Sequence, residues 1–162
     1  MRPWGVSEWT ATGGKLNFTA ALEPIAHGAA SAPPWTAATF ALNGDYGMID
    51  DVEIDDSLLP DAVPISVYGG KWQLPSADRV KFIREDSAYE LTTERGNPSA
   101  LKLMYTAKTA SFKGSFKLFG IKENGSSKKL TATVNGVMVD GTGYGSAYVK
   151  PYGAVPVTIN GE

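Results

Sequence analysis

The chain has 162 residues, 43% hydrophobic and 20% charged, with a formal net charge of −2; at this length roughly 68–70% of the unfolded surface is buried, so a core forms without metal or disulfide. No cysteine is present, which excludes disulfide bonds, thiolate catalysis and cysteine-type zinc sites. Eighteen glycines and ten prolines point to a turn-rich all-β protein rather than to disorder.

The charge is unevenly spread. Residues 1–70 carry nine acids against two bases, a balance of −7, and residues 71–162 carry eight acids against thirteen bases, a balance of +5. Two mutually attractive faces of one domain, or a charge-matched neighbour, fit this asymmetry. Nucleic-acid binding is not expected, because the lysines alternate with apolar residues along strands and form no dense cluster.

In chain order, the opening "MRPWGVSEWT" is not a signal peptide, and no apolar run is long enough for a helical membrane span. If the protein is exported, this chain is a mature region or part of one. In "KLNFTAAL" Leu16, Phe18, Ala20 and Leu22 share one face and predict a strand. Residues 23–34, "EPIAHGAASAPP", predict a loop, since three prolines and small residues cannot sustain a helix. "WTAATFAL" predicts a strand ending at the turn Asn43-Gly44.

The segment "IDDVEIDD" turns Val52 and Ile54 inward and lines Asp51, Glu53 and Asp55 along the outer face, about 6.6 Å apart. That pattern fits a solvated acidic edge that blocks sheet-to-sheet association, or an oxygen-rich calcium site without the EF-hand order. A short helical turn fits "DDSLLPDA". Further strands follow in "VPISVYGGKWQL", with Gly69-Gly70 as its turn, and in "RVKFIRE" and "SAYELTT".

The second half reads as strand after strand. Leu101, Leu103 and Tyr105 alternate with Lys102, Met104 and Thr106; Phe112, Gly114, Phe116 and Leu118 share one face of the next segment. Asn124-Gly125 supplies a turn, and "KLTATV" puts Leu130, Ala132 and Val134 inward. Asn135-Gly136 predicts a two-residue type I′ hairpin that pairs Val134 with Val137 and turns Val139 inward. In "GYGSAYVKPY" Ala147 and Val149 mark the core face, leaving Tyr144, Ser146, Tyr148 and Lys150 on the other; Pro151 breaks the strand before Tyr152.

The expected fold is one all-β domain spanning 1–162, an antiparallel barrel or two-sheet sandwich of about ten strands, with a less regular acidic half and a hairpin-rich basic half. Chemistry is sparse. His27 is the only histidine, and G-x-S-x-G, P-loop and dinucleotide fingerprints are absent. The aromatics stand out, because a flat ring with a polar tip suits sugar stacking with hydrogen bonding. Tyr148, Tyr152, Trp35 and Trp72 are the candidate ligand contacts, and Asp51, Glu53 and Asp55 the candidate metal ligands.

From about residue 100 onward, "YTAKTASFKGSF", "KKLTATVNGVMVDG", "GYGSA" and "VPVTI" carry a resemblance to a recurring C-terminal β-domain of large surface or secreted proteins of the Planctomycetes–Verrucomicrobia group. The resemblance implies an exported, non-catalytic β-module appended to a larger protein. It also implies that Gly114, Gly143, Tyr144 and Gly145 serve the architecture. The functional expectation is an extracellular or cell-surface carbohydrate-binding module, with polysaccharide and neighbouring domains as partners and no cofactor unless calcium. A structural or adhesion domain assembling through protein contacts is the alternative. A glycosidase-like enzyme using carboxylates of 45–61 is the third reading.

Overall fold

The computed structural model describes residues 3–12, 15–24, 33–150 and 152–162, with side chains from residue 33 onward. The expectations for His27, for most of the loop at 23–34 and for Pro151 lie outside the described residues. The chain forms two compact units, 1–31 and 32–162.

The first unit is a hairpin of β1 (Pro3–Thr12) and β2 (Lys15–Pro24), antiparallel with Thr12 opposite Lys15. β2 matches the alternation in "KLNFTAAL". β1 lacks such a pattern and is paired with β2 along its whole length.

The second unit is all-β. Its strands are β3 (Ala37–Leu42), β4 (Met48–Ile49), β5 (Val52–Ile54), β6 (Val63–Tyr68), β7 (Lys71–Gln73), β8 (Arg79–Ile83), β9 (Ala88–Thr93), β10 (Lys102–Thr106), β11 (Ser111–Lys122), β12 (Ser127–Val139), β13 (Thr142–Val149) and β14 (Gly153–Gly161). Ten of them form one curled antiparallel sheet, a half-barrel in the order β4-β5-β11-β12-β13-β14-β3-β6-β7, with β10 also paired to β11. β8 and β9 form a separate two-stranded sheet. One edge of β11 serves two partners: Ser111–Ser115 pair with β10, and Gly120–Lys122 pair with β5.

The concave face holds the core. Phe40, Phe112, Phe116, Ile65, Leu118 and Ile159 are fully buried there, each contributing roughly 1.5–3 kcal/mol through burial. The inward sets expected along β11 and β12 occupy these positions. Across the curl, β7 and β10 come together with no ladder hydrogen bond among the described residues; Trp72 stacks on Tyr105 instead, with ring centroids 5.0 Å apart and planes 6° from parallel.

Within the second unit, one end of the convex face is covered by the β8–β9 hairpin. Phe119 points outward from β11 and is buried under the β8–β9 hairpin, where Tyr89 packs edge-on at 5.1 Å. The Tyr89 hydroxyl donates to the carbonyl oxygens of Gly120, at 3.0 Å, and Lys128, at 3.2 Å. Behind the hairpin, buried Asn97 fixes the approach to β10. Its Nδ2 donates to the Pro75 and Leu101 carbonyls, and its Oδ1 accepts from the Leu101 amide at 2.7 Å.

The turn expected at Asn135-Gly136 is not where the chain reverses. Both residues lie inside β12, opposite Lys113 and Phe112 of β11, and the reversal occurs at Asp140-Gly141, with φ of 49° and 79°. Asp-Gly is as good a type I′ pair as Asn-Gly. Packing decides between them: a Cβ on Gly136 would sit 2.1 Å from Cζ of Phe112, so this glycine is bare to admit that ring. In the uninterrupted strand Val134 and Val137 fall on opposite faces. Met138, rather than Val137 or Val139, packs against the core.

Candidate ligand-binding face

The convex side of β12 and β13 is built by its inner side. Along β13 the inward positions are Gly143, Gly145, Ala147 and Val149. A Cβ on Gly145 would lie 2.3 Å from the carbonyl oxygen of Asn135, and one on Gly143 would press into Ile159. Strand parity then sends Tyr144, Ser146 and Tyr148 outward. Tyr144 is 52% and Tyr148 42% exposed.

The ladder turns this into a grid. Tyr148 lies beside Thr133, which lies beside Ser115 and then Lys102; the next outward row runs Ser146, Asn135, Lys113 and Met104. Tyr144 lies beside Val137 in the row beyond. The two tyrosines thus bracket Ser146 and Asn135, about 13 Å apart along the strand. Asn135 and Thr133 are exposed. The face offers two flat rings with amide and hydroxyl groups between them. Because the chain reverses at Asp140-Gly141 and not at Asn135-Gly136, strand parity places Asn135 in this set.

The flanking glycines therefore do not make Tyr144 a packing residue. They serve the concave face, and the ring of Tyr144 stands in solvent on the other.

The remaining candidates do not gather here. Trp35 is buried, its Nε1 donating to the Gly141 carbonyl at 2.7 Å, and its ring packs 5.6 Å from Trp72. Trp72 is buried between Trp35, Tyr105 and Phe112. Both tryptophans fill the core rather than face a ligand, because each lies at an inward position where the curl brings aromatic rings together. Tyr152 is 44% exposed but lies in the turn between β13 and β14, where its hydroxyl donates to Asp50 Oδ2. That bond, more than its slight burial, pushes the Tyr152 phenol above its usual range.

No family model matches the chain, and no curated protein or solved structure matches it.

The acidic residues fan out. Val52 and Ile54 point inward, but Asp50 takes positive φ in the β4–β5 turn, and Asp51 pairs with Lys122 at 3.7 Å. Glu53 is exposed on β5, while Asp55 Oδ1 caps the 3₁₀ turn Asp56–Leu58 by accepting from the Ser57 amide at 3.1 Å. Among the described residues no three acidic or histidine side chains gather as a metal-holding group, so Asp51, Glu53 and Asp55 are not brought together. Burial first, then the charges of Asp45, Asp55 and Glu53, raises the Asp56 carboxyl above the usual range.

Two open concavities, of about 360 and 280 Å³, lie near the β6–β7 end and beside Trp72, and Glu162 is the only carboxylate lining either. No described helix is long and apolar enough to cross a membrane.

Proposed function

We propose that the protein is a non-catalytic carbohydrate-binding β-module whose ligand lies along the convex face of β12 and β13, over Tyr144 and Tyr148. The exposure of both rings on one face, with Asn135 and Ser146 between them, carries this reading. Tyrosine rings stack on sugar faces and lose little conformational entropy when fixed. Amide and hydroxyl neighbours provide hydrogen bonds to ring substituents. An open sheet face suits an extended polymer better than a small molecule, which favours a closed pocket. The resemblance of residues 100–159 to a module of surface proteins supports an extracellular setting, appended to a larger chain.

Affinity electrophoresis against a panel of polysaccharides tests the reading. At least one polymer is expected to retard the protein. Tyr144→Ala and Tyr148→Ala are each expected to weaken that binding by about tenfold, the equivalent of one buried aromatic contact, with unchanged thermal melting. Retardation by no polymer, or full retardation of the double variant, overturns the proposal.

A second reading is assembly between copies or neighbouring domains through complementary charge, for which the −7 of residues 1–70 against the +5 of residues 71–162 is the observation. It predicts self-association that weakens with salt in sedimentation. A monomer at every ionic strength counts against it.

A further inference from the structure

Across β10, β11, β12 and β13 the convex face carries one sign of charge, with Glu53 of β5 standing beyond its edge, beside Ile121. The outward positions of β10, β11, β12 and β13 include Lys102, Lys113, Lys117 and Lys129, and no aspartate or glutamate. All four lysines are exposed. Among the described residues the one ion pair is Lys122–Asp51, at the edge where β5 joins β11, and none of these four lysines takes part in one. Lys117 Nζ donates to Thr131 Oγ1 at 2.7 Å, which holds its charge down on the sheet beside the Tyr148 row.

The geometry points to an anionic polysaccharide, one bearing carboxylates or sulfates on its sugars, as the ligand of this face, in preference to a neutral glycan. The inference rests on the glycan reading of Tyr144 and Tyr148. The Lys113 row passes between the rows of the two tyrosines, and the Lys102 row contains Tyr148 itself. A sugar ring stacked on Tyr148 therefore has ammonium groups two and three strands away on one side. Lys129 Nζ lies 5.5 Å from the Phe119 ring centroid, and Lys102, Lys113 and Lys117 together give the face a positive potential that attracts an anionic ligand and not a neutral one. Lysine is a flexible point charge rather than a planar fork, which suits acidic groups that recur along a polymer at varying register.

The test is affinity electrophoresis of the whole chain in gels containing polygalacturonate, dextran sulfate, or neutral dextran and galactan, with a fluorescent oligo(dT) in a parallel shift assay. Retardation by polygalacturonate, by dextran sulfate or by both is expected, at least about tenfold stronger than by the neutral polymers and reduced as salt shortens the screening length. Which acidic polymer retards identifies carboxylate or sulfate as the recognised group. Lys113→Gln combined with Lys117→Gln is expected to weaken acidic binding by about tenfold and flatten its salt response. Tyr144→Ala with Tyr148→Ala is expected to weaken it as well, which simple ion exchange on lysines does not do.

Equal retardation by neutral and acidic polymers overturns the charge inference and leaves the glycan reading standing. Acidic binding unchanged in the double lysine variant also overturns it. Retardation by no polysaccharide removes both, and a shift of oligo(dT) alone assigns the face to nucleic acid instead.

Discussion

The convex wall of β11, β12 and β13 and the acidic segment from Asp45 to Asp61 both carry rows of exposed polar side chains, and they organise them in opposite ways. In the wall, long strands hold Tyr144, Ser146 and Tyr148 in fixed register with Val137, Asn135 and Thr133, so same-parity residues remain neighbours over several strands. In the acidic segment β4 and β5 are two and three residues long, broken by the positive φ of Asp50 and followed by a 3₁₀ turn. Three of its carboxylates are engaged locally: Asp51 by Lys122, Asp50 by Tyr152 and Asp55 by Ser57. A shared surface needs a ladder long enough to keep parity. Density of like residues in the sequence does not supply one.

If the wall is held from within, removing its inner support has the largest effect. Phe112 fills the space left bare by Gly136 and lies 5.9 Å from Trp72, so Phe112→Ala is expected to cost about 4 kcal/mol. The readout is a lower urea midpoint at unchanged m; a loss below about 1 kcal/mol breaks the comparison. A smaller effect is expected at Tyr46, which joins the two regions: its hydroxyl donates to the Ala147 carbonyl at 3.1 Å and its ring packs near Phe116. Tyr46→Phe is expected to cost about 1 kcal/mol at neutral pH.

The same residue gives a pH signature. Burial pushes the Tyr46 phenol up to about 12 from an unperturbed 10.0. Between those values the unfolded chain has lost the proton and the folded chain retains it, so stability is present below pH 10 and falls as pH rises toward 12. Urea titrations across that range are expected to show a shallower fall in Tyr46→Phe; an identical slope refutes the assignment. The smallest effect belongs to the acidic segment. Asp51→Asn breaks a partly exposed pair with Lys122 and is expected to change stability by about 0.5 kcal/mol or less. A larger loss in the same urea measurement makes the segment a support of the fold rather than a rim.

The all-β class and most strands of residues 33–162 were legible because period-2 patterning and glycine turns agree there, as at Gly69-Gly70 and Asn124-Gly125. The outward placement of Tyr144 and Tyr148 was legible for the same reason. The reversal after β12 was not, because "VNGVMVDG" offers two equivalent turn pairs and only the distant Phe112 ring selects between them. Trp35 and Trp72 were unreadable by another route: an isolated tryptophan near a strand end gives no parity signal, and the curl that buries both depends on the pairing of β3 with β14. Phe119 breaks the expected polar-out pattern because the β8–β9 hairpin arrives over it.

The junction between β7 and β10 differs mechanically from every other seam in the half-barrel. Strands joined by a ladder separate only by breaking hydrogen bonds in series, whereas Trp72 and Tyr105 meet as parallel plates. Plates slide over one another while remaining in contact. Among the described residues this junction is closed by side chains rather than by a ladder, and it lies away from the row of tyrosines on β13. The rings on β13 are spaced by a continuous ladder, and the β7–β10 junction is closed by stacked side chains.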